Sequence, residues 1–299
     1  MLYLPPAPAI IIPKAPDIVR PGDPRYLVGA SVMQQMLLAG GSGSVSAEVA
    51  QWLARASLDS MHIAADTAYI DGLVAAGLWS KFDWLHIYAT QTSTIALLNM
   101  ISSSYAGIAH GSPTFTADRG FTGIDASNTV YIDSQFNPTT APSPKYTQNS
   151  AHIAAWSNTS TQASASGGVM IGHFNGGGEL TYLIPRRPTD ISYYDIAGNT
   201  NPSTVSNSDS TGHYIATRDT STTTQGYKNG SSVLTASVGS IALLNNNIIV
   251  MAGNDGGIGP TAGAGLQHCM ASAGALLSST DATNFYNLTR ARMTAVGVP

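Results

Sequence analysis

The sequence has little charge and very few glutamates. Charged residues make up 10% of its 299 residues, and Glu48 and Glu179 are the only glutamates. Helical bundles and coiled coils need abundant glutamate, lysine and arginine, so this composition argues against them. The polar surface has to be built largely from serine, threonine, asparagine and glycine. Because serine and asparagine favour turns and caps and threonine favours strands, the composition indicates a mainly β protein.

Cysteine, basic residues and long apolar runs are also scarce. The single cysteine, Cys269, excludes an intramolecular disulfide and a cysteine-rich zinc site, and its apolar neighbours predict a buried thiol. No apolar run approaches the roughly 18 residues of a membrane span, so we expect none. With 13 basic residues and a net charge of −4, the chain does not have the composition of a nucleic-acid-binding protein.

The N-terminal segment combines prolines with apolar side chains. Seven prolines fall within residues 1–26, and they favour an extended chain over a helix or a central strand. Residues 1–44 are therefore predicted to form an extended Pro/Gly-rich arm. It either lies over its own domain or docks on a neighbouring subunit, and the prediction is docking, as an anchor in a homo-oligomer or particle. The side chains expected to make this contact are Leu2, Tyr3, Leu4, Ile10, Ile11 and Ile12.

Residues 45–79 have the spacing of two short helices. Val49, Trp52, Leu53 and Ala56 repeat at helical intervals, which predicts one apolar face. A second helix is predicted to begin at Asp66 as its N-cap and to end near Gly77.

Residues 80–299 alternate short β-prone runs with turns. Phe82 to Tyr88 reads as a strand, and Asn229-Gly230 is a strong hairpin signal. Ser278 and Asp281 form a capping box before a closing helix that ends at Gly297. This pattern predicts an antiparallel sandwich of two sheets, with Ile153 and Trp156 in its core.

Several of these segments resemble the concanavalin A-like (laminin-G type) jelly roll. They are residues 113–123 (PTFTADRGFTG), the strand at 131–133, the hairpin at 227–230, the late strand at 249–254 and the closing segment at 276–286. The order of arm, two helices and sandwich resembles phage and prophage virion structural proteins. The resemblance implies a decoration, fibre or spike protein located in the virion, with a lectin-like domain for host glycan attachment.

Catalytic motifs are missing from the sequence. Enzymes of the resembled fold often carry a Glu-x-Asp-x-x-Glu strand, and serine hydrolases need Gly-x-Ser-x-Gly; neither occurs. Asp190 and Asp195 illustrate a carboxylate pair that folding could bring together. We therefore expect no enzymatic activity, with a surface-polysaccharide depolymerase as the alternative.

Candidate binding residues are few. Arg186 and Arg187, with Tyr193 and Tyr194 nearby, are the candidate contacts for a glycan or a partner protein, and the simpler interpretation of the same residues is an ordinary exposed loop. No cofactor is predicted, and a calcium ion could bind only at weak oxygen ligands such as Asn254 and Asp255. The expected partners are other virion proteins through the arm, further copies of the chain and a host glycan.

Overall fold

The structure, a computed structural model, describes residues 45–176, 178–199, 202–256 and 258–299. The predictions for the arm at residues 1–44 lie outside the described residues. Two sheets face each other across the main core, and the C-terminal helix packs on the outer side of one of them. In the part of the chain that is described, no helix is long and apolar enough to cross a membrane.

The first sheet, sheet A, has eight strands: β1 (Phe82–Ile87), β3 (Thr114–Thr116), β4 (Gly120–Thr122), β6 (Ala151–Ser157), β11 (Gly212–Arg218), β12 (Thr223–Lys228), β13 (Ser231–Ser237) and β17 (Gln267–Gly274). Their spatial order is β13-β12-β11-β6-β17-β4-β3, and β1 also pairs with β17. All of these pairings are antiparallel.

The second sheet, sheet B, has nine strands: β2 (Ile108–His110), β5 (Tyr131–Asp133), β7 (Ile171–Phe174), β8 (Leu180–Arg187), β9 (Ile191–Gly198), β10 (Thr204–Ser206), β14 (Ile249–Val250), β15 (Gly253–Asp255) and β16 (Gly259–Thr261). The main path is β10-β9-β8-β7-β14-β5-β2. Only β15 with β7 forms a parallel pair among the described strands. The predicted mainly β antiparallel sandwich is confirmed.

Within the described ranges, the α-helices are α1 (Ala47–Leu53), α2 (Ser60–Ala75), α3 (Ser93–Ala96) and α4 (Ser279–Ala295), and a 3-10 helix covers Trp79–Lys81. The capping box of α4 is present, because the Ser278 hydroxyl accepts from the Asp281 backbone and the Asp281 carboxylate accepts from Ser278. The chain leaves this helix at Gly297, whose φ of 76° is the left-handed conformation that glycine adopts readily.

The start of α2 differs from the prediction. Its N-cap is Asp59, and Asp66 lies inside the helix, fully buried. The Asp66 carboxylate accepts from Trp52 Nε1 at 2.8 Å and from Arg292 Nε at 2.9 Å, so it joins α1, α2 and α4. Local spacing suggested a cap because aspartate is a common capping residue. The helix begins before Asp66 because Asp59 caps it, accepting from the His62 N–H at 2.9 Å.

The core between the sheets contains Ile153 but not Trp156. Side chains alternate along β6, so Ile153 and Ala155 face sheet B. Trp156 points the other way, beneath α4, where its ring contacts Tyr286. The expectation that Trp156 belongs to the inter-sheet core was wrong. Alternation along β6 places Ile153 and Trp156 on opposite faces of sheet A, but it does not show which of the two faces α4 covers.

The hairpin joining β12 and β13 confirms the Asn-Gly signal. Asn229 has a φ of 50° and Gly230 a φ of 76°, and positive values at both central residues are what a type I′ turn requires. The turn places Asn229 at one end of sheet A, next to the start of β11.

Candidate functional site

A polar cleft of about 290 Å³ lies at that end of sheet A. The end of β6, the start of β11, the β12–β13 turn and one side of α4 meet there. Side chains that could contact a ligand come from all four: Trp156, Asn158, Thr211, Asn229, Tyr286 and Arg290. Among the described residues that line the cleft, none is acidic.

Aromatic rings form one wall of the cleft. The ring of Trp156 is nearly parallel to that of Tyr286, with centroids 5.7 Å apart, and to that of His213, 5.5 Å away. The guanidinium carbon of Arg290 lies 5.4 Å from the Trp156 ring. Trp156 is only 4% exposed whereas Tyr286 is half-buried, so Tyr286 is the ring more open to a ligand.

The rim opposite depends on a glycine. Gly212 has a φ of 112°, and a Cβ there would lie 2.4 Å from Oδ1 of Asn229. That oxygen accepts from the backbone N–H of His213 at 2.9 Å, and the Asn229 N–H donates to His213 O at 2.8 Å. The pair therefore holds the Asn-Gly turn against the first residues of β11.

The polar side chains of the cleft differ in the strength of the hydrogen bonds that hold them. Arg290 donates from Nε to Thr294 Oγ1 at 3.2 Å, and its terminal nitrogens donate to Val298 O and Pro299 O. Asn158 makes only long contacts from Nδ2, at 3.4 Å to Gln267 Oε1 and Arg119 O. Such long bonds are weak, so the Asn158 amide is the group that a ligand hydroxyl could most easily recruit.

Two of the four residues predicted as a glycan or partner surface do come together. Arg187 lies over the Tyr193 ring at 5.4 Å on the outer side of sheet B and donates to Gly167 O at 2.9 Å. Arg186 pairs instead with Asp190, at 2.7 Å between Nε and Oδ1. Tyr194 is 1% exposed in the inter-sheet core, so a glycan does not reach it in this conformation.

The calcium candidates have roles within sheet B. Asn254 lies in β15 and donates from Nδ2 to Asn247 O at 2.9 Å, and Asp255 ends the same strand. In the described ranges, no three histidine, cysteine, aspartate or glutamate side chains form a group that could hold a metal. Calcium binding at Asn254 and Asp255 stays a prediction.

Sheet B also buries carboxylates. Glu179 and Asp195 are each 1% exposed. His173 Nε2 lies 3.6 Å from Glu179 Oε1, and the Thr181 hydroxyl donates to the same oxygen. Burial raises the pKa of Asp195 to about 7, and the charge of Glu179 adds to the rise. A glycosidase needs two carboxylates that touch its substrate, and neither of these is accessible.

The cleft was not predicted from the sequence. Tyr286 and Arg290 are four residues apart and so share one side of α4, which was a readable signal. Nothing local indicated that this side would meet the end of β6, because the two segments are separated by 130 residues of chain.

Comparisons with known proteins add little to this geometry. No protein-family model matches the sequence, and no curated protein matches it. Similar solved structures include the receptor-binding domain of botulinum neurotoxin C/D mosaic serotype, with 13% identity over 70% of this chain and a TM-score of 0.48. The botulinum neurotoxin serotype D binding domain is 11% identical over 71% of this chain, with a TM-score of 0.46.

A mutant of Trypanosoma rangeli sialidase displaying trans-sialidase activity is 7% identical over 77% of this chain and 39% of its own, with a TM-score of 0.48. This chain spans 51% and 52% of the two botulinum binding domains.

Proposed function

We propose that the protein is a lectin-like module that binds a glycan in the cleft at the end of sheet A. The observation that carries the proposal is the half-buried Tyr286 ring beside Trp156, facing a rim of amide, hydroxyl and guanidinium groups. The apolar C–H face of a sugar ring packs on an aromatic ring, while its hydroxyls need directional partners. Both kinds of group converge here.

The size of the cleft limits what it holds. Its volume of about 290 Å³ is at the lower end of ligand pockets. One sugar residue at a chain end or branch fits this space better than a long stretch of polymer.

A glycan array probed with the full-length protein tests the proposal. We expect a small set of related glycans to bind, and Tyr286→Ala to lose them. Tyr193→Ala is the matched control, because it removes a half-buried tyrosine from the outer side of sheet B without touching the cleft. An array on which wild type binds nothing, or on which Tyr286→Ala binds as wild type does, contradicts the proposal. Release of reducing sugar from a bound glycan would instead favour the depolymerase alternative.

We further propose that this module belongs to a phage particle and is anchored there by residues 1–44, as a decoration, fibre or spike protein. The support is the proline-rich apolar sequence of that segment and the resemblance described above. Mass spectrometry of purified particles should find the protein in them. Deletion of residues 1–30 should leave a folded protein that no longer joins its oligomer or particle, and normal assembly of the deletion variant would contradict the anchor.

A further inference from the structure

Strand β13 forms a long edge of sheet A. The strands at the other ends of the two main strand orders, β3, β10 and β2, have three residues each, whereas β13 has seven. Proteins usually protect a strand edge by keeping it short or by placing charged residues or proline on it. From residue 229 to residue 254 the sequence contains neither a charged residue nor a proline. The β13 edge therefore has none of these three protections.

The register of β13 shows which of its main-chain groups face away from the sheet. The Val238 N–H donates to the carbonyl oxygen of Thr222, next to β12. Residues of an antiparallel strand bond alternately to one side and the other, so Ala236 also bonds to β12. The N–H and C=O groups of Thr235 and Ser237 then point outward. No hydrogen bond joins these groups to another segment of the described chain.

The second half of β13 is regular and carries no charge. Thr235 and Ser237 are exposed on the outer side of sheet A, whereas Leu234 packs against the core. The register with β12 skips Val233, which is therefore the extra residue of a β-bulge. Because the bulge precedes residues 234–237, it does not interrupt the pairing of that stretch.

We propose that the protein forms a homodimer in which β13 pairs antiparallel with β13 of a second copy. A strand that pairs with itself across a two-fold axis meets its own side chains, so an uncharged strand brings no like charges together. With Ala236 opposite the same residue of the second copy, Thr235 of each chain lies opposite Ser237 of the other. Both outward-facing residues then exchange main-chain hydrogen bonds within the regular part of the strand.

A second copy of β13 suits this edge better than the N-terminal arm does. Extended peptides can also add to a strand edge, and residues 1–26 are predicted to be extended. Seven prolines in that segment lack the N–H that a strand edge needs as donor, whereas β13 has none. Because β13 follows the turn that lines the cleft, the dimer carries two clefts and binds multivalent glycans more tightly, a consequence that rests on the proposed function.

A cysteine at the two-fold axis tests the register. In the dimer, Ala236 and its copy form a pair without mutual hydrogen bonds, with Cα atoms about 4.5 Å apart, which a disulfide can span. Full-length Ala236→Cys should therefore form a disulfide-linked dimer under mild oxidation, seen on a non-reducing gel. Ser232→Cys is the matched control, because it is exposed on the same strand but does not lie opposite itself. The native Cys269 is buried and should not cross-link.

Analytical ultracentrifugation of the full-length protein gives an independent measurement. Wild type should sediment as a dimer, or as a multiple of one. Thr235→Pro removes an N–H that the fold itself does not use, so it should raise the dissociation constant about tenfold or more, whereas Thr235→Val keeps the N–H and should dimerise as wild type does. A monomeric wild type, a Thr235→Pro dimer as tight as wild type, or Ala236→Cys that cross-links no better than Ser232→Cys overturns the proposal.

Discussion

The two sheets bury ionisable side chains of opposite kinds. Sheet A contains four fully buried histidines, His86, His152, His213 and His268. Burial lowers the pKa of each of them, to about 3 for His213 and about 4 for the other three. Sheet B buries Asp195, and Glu179 between β7 and β8, and burial raises the pKa of Asp195 to about 7.

The one buried histidine of sheet B shows what decides between these outcomes. Burial by itself lowers the pKa of His173, but the charge of Glu179 and its hydrogen bond outweigh that effect, so the pKa of His173 is raised. A buried imidazole thus has a lowered pKa where burial outweighs its hydrogen bonds, and a raised pKa where a buried carboxylate contacts it. The sheets should therefore respond in opposite ways to pH.

The largest expected effect is a loss of stability in acid caused by sheet A. Below about pH 6.5 the unfolded chain protonates its histidines, while the four buried ones resist until about pH 4. The unfolded state then binds more protons, so the free energy of unfolding falls as the pH falls. Asp195 and His173 act in the opposite sense, but they are outnumbered. Urea denaturation at several values between pH 7 and pH 4 measures how the free energy of unfolding changes with pH. A urea midpoint that stays the same over this range contradicts the expected loss of stability.

Asp195→Asn isolates the opposite contribution of sheet B. The raised pKa of Asp195 means that wild type loses stability as the pH rises from about 4 to about 7, by up to about 4 kcal/mol. The variant has no such loss, so it should be more stable than wild type at pH 8 and similar at pH 4. Asp190→Asn is the control, because its exposed ion pair with Arg186 contributes at most about 1 kcal/mol. Equal stabilities of Asp195→Asn and wild type at pH 8 refute this account of Asp195.

His213→Phe tests whether the buried imidazoles of sheet A cost stability. Neither ring nitrogen of His213 has a hydrogen-bond partner among the residues that the structure describes, and the ring packs against Trp156 and Phe285. A phenyl ring removes two unsatisfied polar atoms, so we expect a gain of about 1–3 kcal/mol at pH 7.

His152→Phe is the matched comparison for that variant. His152 Nδ1 is hydrogen-bonded to Ala275 O, which a phenyl ring would leave without its partner. His152→Phe should therefore be less stable than wild type, or gain less stability than His213→Phe does. Chemical denaturation of both variants decides, and the reverse order would show that packing and not hydrogen bonding controls these sites.

The smallest effect concerns the rim of the cleft. Gly212→Ala places a methyl group where Asn229 now lies and puts alanine at a positive φ, so we expect a loss of about 1–2 kcal/mol and weaker glycan binding. Gly239→Ala is the control, because a Cβ at Gly239 would lie 4.0 Å from its nearest neighbour and the φ of Gly239 is not in the left-handed range. Thermal melting of both variants should separate them, and equal melting temperatures would remove the structural role of Gly212.

Local signals in the sequence predicted the fold better than the site. The strand that begins at Phe82, the Asn229-Gly230 turn and the capping box at Ser278 each depend on neighbouring residues, and each is present in the structure. The contact between Asp66 and Arg292 joins segments 226 residues apart, and no local pattern predicts it. A contact between two segments that are far apart in the chain cannot be predicted from the sequence of either segment alone.

The cleft also depends on contacts between segments that are far apart in the chain. Trp156 is buried, as its apolar ring predicts, but beneath α4 and not between the sheets. The sequence around Tyr286 predicts only a closing helix. Of the surface that the sequence did suggest, Tyr194 lies in the core, whereas Arg187 and Tyr193 are in contact on the outer side of sheet B. Four separate elements build the cleft, so it becomes visible only once their arrangement is known.

The most direct test compares the two sheets as binding surfaces. Titration of the strongest glycan from the array against wild type, Tyr286→Ala and Tyr193→Ala gives three dissociation constants. If the end of sheet A binds the glycan, Tyr286→Ala weakens binding by about tenfold or more, equal to about 1.4 kcal/mol, and Tyr193→Ala leaves it unchanged. A loss of binding in Tyr193→Ala with none in Tyr286→Ala would place the site on sheet B and contradict the account.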